Sequence, residues 1–201
     1  MTPARLGLVL ASYALGSIPT GYWLGLCKGV DVRQHGSGNL GATNVFRVLG
    51  AGPGLFTFSV DCLKGVIPVL VSKWLFPHDL VIAASAGVAA ILGHSTSVFV
   101  RFRGGKGMAT ATGVFAALLP APALAAVAVF IAVTGITHYV SLGSLLGSLT
   151  LVAGAFLLSV PRPLAWTTVM VAAFAFWTHR GNIQRLLHGT ENRLDWKRKT
   201  S

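Results

Sequence analysis

Lys106 is framed by glycines, in the run Gly104-Gly105-Lys106-Gly107, and its setting suits a chemical role. Because glycine has no side chain, a ligand can approach the Lys106 ammonium along bare backbone. The run is not a Walker A loop, since Lys106 is followed by glycine instead of Ser or Thr. The arrangement therefore favours a phosphate-bearing ligand, but one that is not bound as in a Walker A loop.

The residues around Lys106 form a longer polar stretch, GHSTSVFVRFRGGKGMAT, at positions 93–110. Arg103 is a candidate substrate-binding residue. Like Arg101, it has an alternative role as an anchor to lipid head groups at a helix end. His94 fits either a functional role or that of a buried histidine whose ring is satisfied within a helix bundle.

A second polar stretch, GSGNLGATNVFRVLG, occupies positions 36–50. Its start matches the G-x-G-x-x-G pattern, but no strand precedes it, which argues against a dinucleotide site. Glycines such as Gly41 let backbone N–H groups turn towards an anion. Arg47 follows about one helical turn later and can clamp a phosphate. The alternative is a glycine-rich turn that only links two spans. The side-chain donors of this stretch are Ser37, Asn39, Thr43 and Asn44.

A third polar stretch, THRGNIQRLLHGTENRLDWKRK, occupies positions 178–199. His179 and Asn182 are three residues apart, so both can face the same side of a helix. Residues 189–193 are typical of a helix end followed by a polar turn. The basic run at 197–199 is most simply an anchor at the membrane surface.

Two ionisable residues, Asp61 and Lys64, lie inside an apolar segment. They are three residues apart and can pair across one helical turn. Each ionisable group in a membrane costs about 2.5–3.5 kcal/mol on insertion scales, so such a pair is rarely incidental. We predict a structural role for it, as a support of the polar face, ahead of direct contact with a substrate.

The elements that must position these residues are membrane helices. Of the 201 residues, 53% are hydrophobic and 10% are charged, whereas soluble domains carry about a quarter of charged residues. The formal net charge of +11 fits anionic lipid head groups or phosphorylated substrates better than nucleic acid in this apolar context. Cys27 and Cys62 provide neither a disulfide framework nor the spacing of metal ligands. We predict one membrane-embedded domain over residues 1–201.

The hydropathy pattern predicts an all-α integral membrane protein with seven transmembrane helices. Pro120 and Pro122 divide the long run Met108 to Ile136 into two short helices, because two prolines remove two backbone donors; one long helix is the alternative. The other predicted spans are Leu6–Cys27, Leu55–Phe76, Leu80–Val100, Leu142–Val160 and Leu164–Thr178.

The distribution of Lys and Arg predicts the orientation. Twelve of the 16 cations follow the first, third and seventh spans, and the intervening turns are poor in cations. By the positive-inside rule, the N-terminus lies outside and the C-terminus in the cytoplasm. The three polar stretches are then expected on the cytoplasmic face.

Several familiar catalytic patterns are absent from the sequence. There is no His-x-x-x-x-Asp motif and no G-x-S-x-G elbow, and the five carboxylates are too few for many Mg²⁺-binding motifs. The composition leaves a chemistry without metal or cofactor, based on cations and backbone donors. The alternative is a small transporter of a phosphorylated solute, whose polar residues should reach both faces of the membrane.

Four motifs carry a family resemblance: GSGNLGATNVFRVLG, DCLKG, GHSTSVFVRFRGGKGMAT and HRGNIQRLLHGTENR. Together, and in this order over essentially the whole chain, they resemble the bacterial membrane glycerol-3-phosphate acyltransferases that use acyl phosphate as donor, the PlsY family. The resemblance implies a multi-pass protein of the bacterial inner membrane with its active site facing the cytoplasm. It also implies transfer of a fatty acyl group from acyl phosphate to the 1-hydroxyl of glycerol 3-phosphate, with membrane lipids around the protein.

The resemblance also implies roles for individual residues. Those that match the glycerol-3-phosphate-binding positions are Ser37, Arg47, Lys106, His179 and Asn182; we predict that the last three are catalytic. Those that match the loop around the acyl phosphate are Gly41, Thr43 and Asn44. The serines Ser141 and Ser144 resemble a further segment near the site, and either could contact the substrate.

Two mechanisms are compatible with these residues. Acyl phosphate is an activated mixed anhydride, and its own phosphate oxygen can accept the proton of the attacking hydroxyl. We favour this substrate-assisted mechanism. The alternative is that His179 acts as general base.

Overall fold

The computed structural model describes residues 1–194, and the regular elements within them are all helical. The predicted all-α class is confirmed for this part of the chain. Residues 1–118 form one compact unit, and the described residues from 119 onward belong to a second. Four helical segments of the described chain are long and apolar enough to cross a membrane: Ala51–Leu75, Leu80–Val100, Pro120–Thr137 and Val140–Leu157.

The first unit contains six α-helices. They are α1 (Pro3–Ser17), α2 (Thr20–Cys27), α3 (Ala42–Leu49), α4 (Ala51–Leu75), α5 (Leu80–Ser95) and α6 (Met108–Leu118). Short 3₁₀ turns at Val32–Gln34 and Val98–Val100 lie in two of the connections. In this unit α1 packs against α5, and α4 packs against α3, α5 and α6.

The predicted first span, Leu6–Cys27, is interrupted in the structure. The α1 helix ends at Ser17 and α2 begins at Thr20, because Pro19 lacks a backbone N–H and restricts the preceding residue to an extended conformation. The carbonyl groups that this break exposes have side-chain partners. The hydroxyl of Ser97 donates to the carbonyl of Ser17, and the ammonium of Lys64 donates to that of Ile18.

Lys64 and Asp61 form a buried ion pair on α4. The Lys64 Nζ lies 2.6 Å from Asp61 Oδ1, and both side chains are almost fully buried, at 3% and 2% exposure. The pair spans one helical turn, as the sequence predicts, and Lys64 also reaches the break between α1 and α2. A buried charge needs a partner and further hydrogen bonds, and Lys64 has both.

Close helix packing in the first unit depends on glycines. A Cβ at Gly65 of α4 would overlap the carbonyl oxygen of Thr110 on α6, and a Cβ at Gly113 of α6 would overlap that of Cys62 on α4. Small residues at helix interfaces let the backbones approach, which is the usual basis of helix association in membranes.

The second unit contains α7 (Pro120–Thr137), α8 (Val140–Leu157), α9 (Arg162–Thr178) and α10 (Arg180–Leu187). The run 108–136 is therefore two helices, as the prolines predict. The break falls at Leu119, and Pro120 occupies the first turn of α7, where the missing N–H has no intrahelical partner to lose. In this unit α8 packs against α7 and α9.

Large apolar side chains lie on the surface of both units. Trp74 is 79% exposed in the first unit, and Ile136 and Leu157 are 80% and 82% exposed in the second. Soluble monomers rarely expose such side chains along whole helices, whereas helices that face lipid require them.

Candidate active site

The polar stretch at 36–50 is organised by one buried amide, that of Asn44. Its Oδ1 accepts hydrogen bonds from the backbone N–H of Ser37 at 2.7 Å and from the Ser37 hydroxyl at 3.2 Å. Its Nδ2 donates to the carbonyls of Val32 and His35 at 2.9 and 3.1 Å. Asn44 is 1% exposed, so its side chain is committed to holding the loop.

Other polar groups of this loop bond within the loop as well. The N–H of Gly41 donates to Asn39 Oδ1 at 2.8 Å, and that of Gly38 donates to the carbonyl of His35 at 3.0 Å. Gly36 has a φ of 63°, and a Cβ there would overlap the Asn44 oxygen. Only glycine satisfies both conditions. The N–H group of Gly41, which we expected to face an anion, therefore bonds within the loop, as does that of Ser37.

Arg47 and Thr43 lie on α3, which follows this loop. Thr43 is in the first turn, and Gly41 is the N-cap; among the described residues no side chain caps this helix end. A helix N-terminus carries a partial positive charge and N–H groups that suit an anion. Arg47 is in the last turn of α3 and is half-buried, with its Nε shielded from solvent.

Lys106 lies in the connection between α5 and α6, where the chain returns to the end of α5. The N–H of Gly104 donates to the carbonyl of Ser95 at 3.0 Å, and that of Gly105 donates to the carbonyl of His94 at 3.1 Å. Lys106 is half-buried, whereas Arg103 is exposed. The exposure of Arg103 is compatible with both of its predicted roles, substrate binding and lipid anchoring.

A small apolar cluster joins the first two polar stretches. Val32 and Leu40, from the connection that contains the start of the 36–50 stretch, pack with Val100 of the 93–110 stretch. All three side chains are at most 5% exposed. The structure therefore ties both stretches together within the first unit.

His179 lies between α9 and α10 in the second unit and is 3% exposed. Its Nδ1 is 2.7 Å from the carbonyl oxygen of Ala175. A carbonyl oxygen only accepts, so Nδ1 carries the proton in this bond. In the neutral ring, Nε2 is then the basic nitrogen.

Glu191 is the centre of a buried polar network in the second unit. Its Oε1 accepts hydrogen bonds from Asn182 Nδ2 at 2.6 Å and from the Ser141 hydroxyl at 2.8 Å. Its Oε2 accepts from Arg185 Nε at 2.8 Å. The Glu191 side chain is 4% exposed. Of the two candidate serines, Ser141 thus lies beside Asn182, whereas the Ser144 hydroxyl donates to the carbonyl of Val140 at 2.9 Å.

The pKa of Glu191 is lowered from its ordinary value. Burial raises the pKa of this carboxyl, but the hydrogen bonds from Asn182, Ser141 and Arg185, together with the Arg185 charge, outweigh burial. Sequence reasoning missed this residue, because it treated the segment after α10 as a plain polar turn. The available signal was the scarcity of acids: Glu191 is one of five in the whole chain and lies in a strongly cationic segment.

The fold and these clusters define a multi-pass helical membrane protein that carries half-buried cations on and beside hydrogen-bonded loops. Within residues 1–194, no three His, Cys, Asp or Glu side chains are grouped as a metal site. Half-buried Arg and Lys side chains such as Arg47 and Lys106 suit a phosphate-bearing ligand.

The chain belongs to the glycerol-3-phosphate acyltransferase family, whose sequence model matches residues 6–189. A glycerol-3-phosphate acyltransferase of Halalkalibacterium halodurans is 48% identical over 200 residues, which cover 96% of this chain and 97% of that protein. One from Geobacter metallireducens is 51% identical over 187 residues, covering 93% and 96%. These relatives favour the transferase over the transporter.

A solved structure has the same fold. The crystal structure of PlsY (YgiH), an integral membrane glycerol 3-phosphate acyltransferase, in its glycerol 3-phosphate form, superposes with a TM-score of 0.92 at 40% identity and covers 96% of both chains. Its lysophosphatidic acid form superposes with a TM-score of 0.90. The present chain is thus an integral membrane acyltransferase that acts on glycerol 3-phosphate. This reaction belongs to phospholipid synthesis.

The Glu191 network gives the second unit an acid-sensitive stability. Because its folded pKa is depressed, Glu191 contributes stability that is fully present above its ordinary pKa of 4.5 and is lost as pH falls through the folded pKa. We expect Glu191→Gln to unfold at a lower temperature than the native chain at pH 7, and this difference to shrink as pH falls from 5 to 3. Thermal unfolding in detergent measures the unfolding temperatures of the native chain and of Glu191→Gln at each pH. An equal difference between them at all pH values would contradict the stabilising role of the ionised Glu191 carboxylate.

Proposed function

We propose that this enzyme transfers a fatty acyl group from acyl phosphate to the 1-hydroxyl of glycerol 3-phosphate, giving lysophosphatidic acid and inorganic phosphate. The observation that carries the proposal concerns two half-buried cations of one unit, Arg47 on α3 and Lys106 on the α5–α6 connection. The segments that lead to them share the Val32–Leu40–Val100 cluster. The solved relatives in glycerol 3-phosphate and lysophosphatidic acid forms support an acceptor and a product of this kind.

Glycerol 3-phosphate is bound, in this proposal, by the residues whose positions match the family pattern. In the first unit, Arg47 and Lys106 pair with the phosphate, and Ser37 adds a contact from a backbone position that Asn44 fixes. In the second unit, Asn182 serves the acceptor from a side chain that Glu191 orients. His179 contributes through its ring.

The acyl phosphate is held by the loop that leads into α3. The start of α3, with Gly41 and Thr43, offers the positive end of a helix to the donor phosphate. Asn44 supports this loop rather than contacting the donor, because its amide is fully used within the loop. Arg103 is an additional substrate-binding residue in the 93–110 stretch. Ser141 is favoured over Ser144, because it lies next to Asn182 at Glu191.

The reaction needs positioning more than covalent help. The 1-hydroxyl oxygen attacks the acyl carbon, the bond from that carbon to the phosphate oxygen breaks, and inorganic phosphate leaves. Two polyanions must be held together despite their repulsion, which cations and N–H groups can achieve. Orientation of two reactants lowers the barrier by up to roughly 7–11 kcal/mol. The hydroxyl proton passes to the departing phosphate, and in this proposal neither a cofactor nor a metal takes part.

His179 as general base is the second candidate for the proton transfer. One observation favours it: the bond from Nδ1 to the Ala175 carbonyl leaves Nε2 as the basic nitrogen of the neutral ring. In the substrate-assisted mechanism, the same ring positions the acceptor only.

The proposal places the protein in the bacterial inner membrane as a single functional domain over residues 1–201. It has seven spans, an external N-terminus, a cytoplasmic C-terminus and an active site that faces the cytoplasm. The cation distribution and the long apolar helices of both units support this topology. Membrane lipids are its surroundings, and nucleic acid has no part in it.

The first test follows phosphate release by the purified protein in detergent, with palmitoyl phosphate and glycerol 3-phosphate and without coenzyme A. We expect release that requires glycerol 3-phosphate and continues in the presence of a metal chelator. Lys106→Ala should lower it by at least about a hundredfold, as the loss of a donor to developing charge does. The matched control is Lys28→Ala, since Lys28 is an exposed cation outside the three clusters. Release that ignores the acceptor would contradict the proposal.

The proton acceptor is tested by the pH dependence of kcat. The substrate-assisted mechanism predicts that His179→Ala lowers kcat but leaves the shape of its pH profile unchanged. If His179 is the base, the native profile has a limb that reflects titration of its imidazole, and this limb disappears in His179→Ala. The loss of such a limb would overturn the substrate-assisted mechanism.

A further inference from the structure

His94 lies at the end of α5, where the connection to α6 returns to the helix. The last carbonyls of a helix have no partner within it. Those of His94 and Ser95 accept hydrogen bonds from the N–H groups of Gly105 and Gly104. These two bonds place the backbone immediately before Lys106 against the last turn of α5.

The imidazole of His94 fills the space beside Gly105. A Cβ at position 105 would overlap the Nε2 atom of this ring and come within 3.1 Å of its Cδ2. Both residues are buried. The ring therefore fixes how closely the loop approaches α5, and position 105 accepts only glycine while the ring is present.

The ring is supported on its other side by the buried ion pair of α4. His94 Nδ1 lies 3.8 Å from Asp61 Oδ1, the same oxygen that pairs with the Lys64 ammonium at 2.6 Å. Helix α4 packs directly against α5. His94 thus stands between a fixed ion pair and the glycine loop, with little room to move.

We propose that His94 is a positioning residue for acyl transfer: its ring holds Gly105, and through it Lys106, at the place from which the ammonium meets the phosphate of glycerol 3-phosphate. The inference rests on the proposed role of Lys106. It assigns a function to a buried histidine that touches the loop backbone rather than the substrate, and it gives the Asp61–Lys64 pair the role of the support behind that ring.

The test is a pair of substitutions that should compensate each other. Gly105→Ala forces the loop away from the ring, and we expect the KM for glycerol 3-phosphate to rise by about tenfold or more, as misplacement by an ångström can cause. His94→Ala removes the ring, and the same KM should rise less. In the double variant the new methyl group enters the space left by the ring, so its KM should lie closer to the native value than that of Gly105→Ala alone.

Two control substitutions match these changes in kind. Gly52→Ala adds a methyl group where no atom lies within 4 Å, and His78→Ala removes an exposed imidazole; both should leave the KM for glycerol 3-phosphate unchanged. The KM for palmitoyl phosphate should stay within about threefold of the native value in all variants, because a loss of one binding interaction affects the substrate that uses it.

The outcomes separate the two proposals. A double variant as impaired as Gly105→Ala, or a parallel rise of both KM values in His94→Ala, would overturn the positioning role. If Gly105→Ala does not fold, the double variant must restore both folding and the KM, or the inference falls. A native KM for glycerol 3-phosphate in Lys106→Ala would instead overturn the proposed role of Lys106.

Discussion

In an apolar medium, every backbone group that a helix break or helix end releases must find its partner inside the protein, and the first unit is built around this constraint. The break at Ile18 is satisfied by Lys64, which Asp61 neutralises. The end of α5 is satisfied by the N–H groups of Gly104 and Gly105. The same bonds that satisfy the backbone also fix the loop that carries Lys106, so the position of this loop depends on contacts that the end of α5 requires.

The second unit applies the same principle with a different acid. Glu191 is buried and accepts hydrogen bonds from Ser141, Asn182 and Arg185, and in this way it connects the segment after α10 to α8 and α10. The segment is held further by a hydrogen bond from the Leu194 N–H to the His138 carbonyl. Asp61 and Glu191 are two of only five acids in the chain; Asp61 pairs with Lys64, and Glu191 accepts from three donors. Scarce carboxylates in a basic membrane protein thus serve as organising centres.

The sequence predicts part of this architecture for physical reasons that are local. The two helices within 108–136 follow from Pro120, and the Asp61–Lys64 pair follows from helical spacing. The orientation of the Asn44 amide and the buried polar network around Glu191 depend on partners that are distant along the chain. No local sequence pattern therefore predicts either feature. Pro19 is a local signal for the break between α1 and α2. The sequence nevertheless predicts one span there, because the apolar run Leu6–Cys27 has the right length for a single helix. The close approach of Gly36 to the Asn44 side chain also depends on the folded loop, whereas the sequence suggested only that glycines in this stretch could turn N–H groups towards an anion.

We propose that Arg47 and Lys106, held on and beside hydrogen-bonded loops, bind the phosphate of glycerol 3-phosphate. The most direct measurement is a calorimetric titration of the purified protein in detergent with glycerol 3-phosphate, and with glycerol in its place, for the native chain and for Arg47→Ala. We expect that glycerol 3-phosphate binds, that glycerol does not, and that Arg47→Ala weakens binding by about tenfold or more, as the loss of one charge-assisted hydrogen bond does. Equal binding of glycerol, or native affinity in Arg47→Ala, would contradict it.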